Sequence, residues 1–151
     1  MDIALLQQQA GEAVYFDLAL DGFDLASDGS LRTAVILSLL CDRRAEEDDE
    51  IPDGTADRRG WWADAYAERE GDRWGSRLWL LRRAKQVPET VRLAREYAEE
   101  ALAWMVEDGV ATSVSVTAEI VRRGVLGLLV RIERPDGRRF EELFDYSLEG
   151  V

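Results

Sequence analysis

The apolar period of this chain changes near residue 110, and that change constrains the fold more than any other feature. Over residues 88–108, Val91, Ala94, Ala98, Ala101, Leu102 and Met105 recur at helical spacing and share one face of an α-helix. Pro88 opens the segment, where its missing N–H is a donor that a helix leaves unpaired anyway, and Gly109 closes it as a C-terminal cap. From residue 113 the period is two. Val114, Val116, Ala118 and Ile120 alternate with Ser113, Ser115, Thr117 and Glu119, the pattern of a strand with one buried face. Arg122-Arg123-Gly124 turns the chain, and Leu126, Leu128, Val130 and Ile132 give a second strand its inward face. Arg134-Pro135-Asp136-Gly137 turns it again, and Phe140, Phe144 and Tyr146 mark a third strand. A long amphipathic helix followed by an antiparallel three-stranded meander predicts an α+β fold. Glu107 and Asp108 fall in the helix's last turn, where the dipole disfavours negative charge. Either an exposed end tolerates them or a basic residue lies nearby.

Upstream, Phe16, Leu18 and Leu20 precede Asp21-Gly22, and Phe23 and Leu25 follow it. Asp-Gly is a preferred hairpin turn, so residues 13–28 predict a small N-terminal hairpin. Asp17, Asp21, Asp24 and Asp28 lack the spacing of a calcium loop. A helix is expected over residues 31–44 with Ser30 as its cap. Ala34, Val35, Ile36, Leu37, Leu39, Leu40 and Cys41 leave it almost no polar face, so it is buried or covered by a partner, with Cys41 a small core residue. Residues 45–60 contain the acids Glu46, Glu47, Asp48, Asp49 and Glu50, then Pro52 and Gly54. They read as a mobile acidic loop of little weight in folding rather than a cation site. Trp61, Trp62, Tyr66, Trp74 and Trp79 follow. Such a cluster beside arginines is a stacking platform or a core with an interface; the acidic balance favours the second. Residues 76–86 read as a short helix, with Leu78, Trp79 and Leu81 inward and Arg77, Arg82, Arg83 and Lys85 outward.

The 151 residues suit one domain, 1–151. With no histidine and one cysteine, no histidine-based nucleophile system, no histidine or all-cysteine zinc site and no internal disulfide can form. No catalytic residue, metal ligand or cofactor is assigned. A formal net charge of -12 argues against nucleic acid and favours solubility or a basic partner. The longest apolar stretch, residues 33–41, is far short of the roughly 20 residues of a membrane span. Residues 1–6 carry neither a positive region nor a cleavage site, so no signal peptide is expected and the chain is placed in the cytoplasm. A rival reading is a glycosidase, which needs only carboxylates. Glu107, Asp108, Glu141 and Glu142 are its candidates, yet a glycosidase acid needs an apolar pocket and these read as exposed. An acidic decoy for a nucleic-acid-binding protein fits the charge but not the tryptophans.

Five segments carry a family resemblance. They are Asp24-Leu25-Ala26-Ser27-Asp28-Gly29-Ser30-Leu31-Arg32-Thr33-Ala34-Val35, Asp42-Arg43-Arg44-Ala45, Arg58-Arg59-Gly60-Trp61-Trp62, Gly75-Ser76-Arg77-Leu78-Trp79-Leu80-Leu81, and Trp104 to Gly109 ahead of a Val-x-Val strand. Together they resemble the Mu-type bacteriophage baseplate wedge proteins, themselves similar to the lysozyme-like wedge subunits of contractile tails and type VI secretion. That wider group often ends its long helix in Trp-Glu-Pro-Arg; here the run is Trp104-Met105-Val106-Glu107-Asp108-Gly109. Glu107 keeps the acid, whereas the Pro and Arg are absent, so no role of that Arg carries over. The resemblance implies a structural subunit of a phage or prophage-derived tail. It would be assembled in the host cytoplasm and end in the virion baseplate. Its implied partners are a J-like wedge protein, other wedge subunits and the tail sheath, to which it would offer strands. The candidate contact residues are Arg58, Arg59, Trp61, Trp62, Trp79, Trp104, Glu107, Asp108, Phe140, Leu143, Phe144 and Tyr146. The terminal strand, as an unpaired edge, suits strand addition.

Overall fold

A computed structural model describes residues 2–11, 13–21, 24–25, 27–28 and 31–148. The N-terminal segment forms paired strands. β1 (Asp2–Ile3) pairs with β6 (Ser27–Asp28), β2 (Leu5–Ala10) with β3 (Ala13–Leu18), and β4 (Leu20–Asp21) with β5 (Asp24–Leu25), all antiparallel. An N-terminal hairpin is therefore present, with more strands than residues 13–28 alone suggest. Phe16 and Leu18 belong to β3 and pair back with Gln7 and Leu5. The signal missed was Gly11, in the left-handed region at φ 63°, a backbone conformation that glycine adopts without strain. Gly22 lies outside the described residues, as does the expected cap Ser30.

Helix α1 spans Arg32–Leu40 and buries Thr33, Val35, Ile36, Ser38 and Leu39. It is shorter than the expected 31–44, and the cause is tertiary. Cys41 is extended at φ −73°, ψ 137°. Its carbonyl accepts the Ser76 N–H at 2.8 Å, and the Ser76 carbonyl accepts the Arg43 N–H at 2.9 Å. A parallel bridge, Asp42 to Ser76, thus draws residues 41–43 out of the helix. Gly75 permits the approach: at φ 93° a Cβ there would lie 2.3 Å from the Cys41 carbonyl oxygen. Ser76 then caps a 3-10 turn, Arg77–Leu81, whose Leu78, Trp79 and Leu81 are buried as the sequence suggested.

Helix α2 (Pro88–Leu102) and helix α3 (Trp104–Glu107) are one bent helix. The junction, Ala103, keeps helical angles of −58° and −33°, and its N–H tightens to the Glu100 carbonyl. Gly109 follows at φ 74°, the expected left-handed cap. The predicted face is largely the buried one, with Ala94, Ala98, Ala101, Leu102 and Met105 in the core.

Strands β7 (Ser113–Arg122), β8 (Val125–Glu133) and β9 (Arg139–Ser147) form the antiparallel meander in that order. Val116, Leu126, Leu128, Val130, Ile132, Phe144 and Tyr146 join the core beneath the helices. The architecture is α+β. On the opposite face, the β7–β8 register shifts between Ile120 and Arg122, a bulge at Val121. A Cβ on Gly127 would sit 2.5 Å from Val121 Cγ1 and 3.2 Å from Leu143 Cδ1, and valine has little freedom to yield. Gly127→Ala should therefore cost about 1–3 kcal/mol by overpacking. Adding Val121→Ala should restore most of that in urea unfolding. A single variant as stable as the parent would refute the steric account.

Candidate interaction surface

The sheet has two edges, and they differ. At β7 the Val116 N–H points away from β8 and donates to Glu99 Oε1 of α2 at 3.2 Å. Helix α2 therefore guards that edge. At β9 the Asp145 N–H points away from β8 towards Gln7 Oε1, while the Leu148 N–H bonds back to Gly124. Antiparallel ladders alternate, so the N–H groups of Arg139, Glu141 and Leu143 also face outward. The N-terminal hairpin covers the far end of this edge, where the Val14 N–H donates to Ser147 Oγ at 3.0 Å. Residues 139–143 are left, and the Leu143 side chain is 48% exposed. Phe144 and Tyr146 are buried and Phe140 is half-buried and stacked on Phe144; they support the strand from beneath and offer it little side-chain surface.

The second surface is aromatic. Trp61 and Trp62 are 52% and 75% exposed, and Tyr66 and Trp74 lie beside them. Trp61 contacts Trp62 and Trp74, with ring centroids 6.1 and 6.4 Å apart, and Trp62 contacts Tyr66 at 6.2 Å. Trp79 differs: it is buried, and its indole N–H donates to the Arg43 carbonyl at 2.8 Å. Arg59 covers it, 4.3 Å above the ring, while pairing with Asp42 at 2.6 Å. Arg58 clasps the acidic run by donating to the carbonyls of Glu46 and Glu47. Trp104 is half-buried and ties α3 to α1 through Ser38 Oγ at 3.1 Å. At the end of α3, Glu107 is exposed, and Asp108 pairs with Arg69 at 3.1 Å. A basic residue thus does sit at this helix end, though so exposed a pair contributes little.

One centre escaped the sequence reading. Arg77 is not simply outward. It pairs with Asp49 at 3.1 Å and Glu100 at 2.9 Å and stacks 4.5 Å from the Tyr97 ring. Burial is the largest single influence and opposes its charge, but the hydrogen bonds it donates to Glu100 and Asp49, together with their negative charges, outweigh burial and raise its pKa. Burial also pushes the Tyr97 phenol up, against the opposing influence of Arg77. Glu46 pairs with Arg73 at 2.9 Å. The acidic run is thereby fastened at two points. No periodic pattern announces such contacts, because the partners lie dozens of residues apart.

These features define a class: an acidic α+β protein whose helix-backed meander ends in a partly open edge beside an exposed aromatic apron. The chain belongs to the phage protein GP46 family, whose model matches residues 31–139. It is 46% identical over 135 residues to baseplate protein gp46 of Escherichia phage Mu, covering 89% of this chain and 91% of that one. It is 42% identical over 128 residues to the Mu-like prophage FluMu protein gp46 of Haemophilus influenzae, covering 85% and 86%.

The Asp49 contact gives one acid of the run a partner on another part of the chain. Asp49→Ser should cost about 1.5–3 kcal/mol, the range for a hydrogen bond to a charged group. Glu47→Ser, whose clasp to Arg58 is through its backbone, should stay within about 0.5 kcal/mol. Urea unfolding of the two variants measures both; equal losses would remove Arg77 from this role.

Proposed function

We propose that the chain is a structural component of a phage-tail baseplate, held in the wedge beside a J-like wedge protein, and that it helps to start the sheath. The open half-edge of β9 carries this reading. Its outward N–H groups at Arg139, Glu141 and Leu143 have no backbone acceptor among the described residues, and strand addition needs such a row. The phage Mu relative, named a baseplate protein, supports the structural role. The virion tail baseplate is then its final location, reached from the host cytoplasm, with other baseplate components as partners.

The geometry gives the glycosidase reading no support. Glu141 and Glu142 are adjacent on β9, so they point to opposite faces, where Arg131 and Arg32 engage them. Glu107 and Asp108 are exposed, and Asp108 is taken by Arg69.

Leu143→Pro removes an outward N–H and leaves the β8 ladder intact. The variant should keep the parent circular dichroism spectrum yet fail to complement a tail-defective phage. Glu142→Pro, which strikes a ladder N–H, should unfold. Sheathed, normal tails from folded Leu143→Pro protein would refute the edge model.

Incubated with purified peptidoglycan, the chain should release no soluble sugar fragments. Release that disappears in Glu107→Gln would overturn the structural reading.

A further inference from the structure

The N-terminal arm carries a second strand edge. Strands β2 and β3 pair without a break, from Leu5 opposite Leu18 to Ala10 opposite Ala13. The Val14 N–H donates to Ser147 Oγ at 3.0 Å and so points away from β2. Antiparallel ladders alternate. Gln9, opposite Val14, and Gln7, opposite Phe16, therefore turn their N–H and C=O groups outward from β3. Leu5 shares that phase, and its outward carbonyl accepts a hydrogen bond from Arg32. Among the described residues no strand lies beyond β2, and no hydrogen bond reaches the Gln7 or Gln9 backbone from outside the hairpin.

Folded proteins guard such an edge with charge, proline or a bulge. Leu5–Ala10 reads Leu-Leu-Gln-Gln-Gln-Ala in unbroken register and has none of these. The arm is also thinly covered. Leu5 and Phe16 pack against the core from one face. On the other face Leu6 and Tyr15, diagonal neighbours in the register, are 49% and 47% exposed. A two-stranded hairpin is marginal in water, and a third strand or a packed face is what makes one stable. A third strand on β2 would pair the free Gln7 and Gln9 backbones and set a side chain against Leu6.

We infer that β2 accepts an extended segment of another protein as a third strand, paired through the Gln7 and Gln9 backbones, with an apolar side chain beside Leu6. Main-chain pairing selects this guest. Leu5–Ala10 is uncharged and Asp17 is the one charge on β3, so no ion pair is needed. A second copy of the chain is disfavoured. Two β2 strands paired about Gln7 would set Leu5 against the other copy's Gln9, and Arg32 already holds the Leu5 carbonyl. Each copy would also bring a net charge of -12. The β2 edge is a separate row of groups from the β9 edge, so either can be engaged without the other.

Hydrogen exchange read by mass spectrometry compares the free chain with tail particles that contain it, and needs no variant. Residues 5–10 should take up deuterium rapidly in the free chain and lose most of that uptake in the particle. Equal uptake in both states would overturn the proposal. Protection confined to residues 139–143 would do the same while leaving the β9 reading in place. Gln9→Pro removes an outward N–H and spares the ladder to β3. It should keep the parent circular dichroism spectrum yet fail to complement a tail-defective phage, whereas Gln9→Ala, which retains the N–H, should complement. Normal tails from folded Gln9→Pro protein, or failure of Gln9→Ala, would refute pairing through the backbone. So would concentration-dependent dimerisation in sedimentation that Gln9→Pro abolishes, since a second copy would then hold the edge.

Discussion

The backbone bridge between residues 41–43 and Ser76 organises the middle of this protein. It ends α1 one residue before Cys41 and sets the next residues in extended conformation. The Arg43 carbonyl is then free for the Trp79 indole, and Asp42 is placed to hold Arg59 over the Trp79 ring. Without that frame the segment from Arg58 to Trp74 would lose its floor. Gly75 makes it possible, because any Cβ there would strike the Cys41 carbonyl and the backbone conformation itself, at positive φ, suits glycine alone. A local conformational allowance at one residue thus reaches through the bridge to a surface some distance along the chain.

Ionic contacts divide along the same line. The pairs on the flank of α2, such as Arg92 with Glu89 and Glu96, are exposed helix neighbours and add little. Arg77 is different because it joins three separate parts of the chain: the acidic run, the 3-10 turn and α2. Its guanidinium lies over the Tyr97 ring while its fork serves two carboxylates, a combination lysine cannot reproduce. The chain's acidity is therefore partly structural around Arg77.

Much of the C-terminal half was legible. The buried face of α2 follows from a period of 3.6, and the inward sets of β8 and β9 and of β7 as far as Ala118 from a period of two, since packing against one core imposes both; Ile120, expected inward, is exposed beside the bulge. Strand alternation also determines which N–H groups of β9 are free once a single contact, Asp145 to Gln7, fixes the phase. The candidate site was legible only in part. Exposure separates Trp61 and Trp62 from Trp79, although all three are tryptophans in one stretch of sequence and none carries a periodic mark of its surroundings.

The sequence by itself determined the class of fold, the absence of histidine chemistry, the acidic character and the family. Each depends on composition, local period or residue identity, which need no knowledge of distant neighbours. Only the tertiary structure decided where α1 stops, that β3 folds back on β2, that Asp49 and Glu46 anchor the acidic run, and which part of the β9 edge stays open. Those outcomes rest on contacts between residues far apart in the chain, where closing a loop is costly and the winning pairing is selected by packing rather than by any local preference.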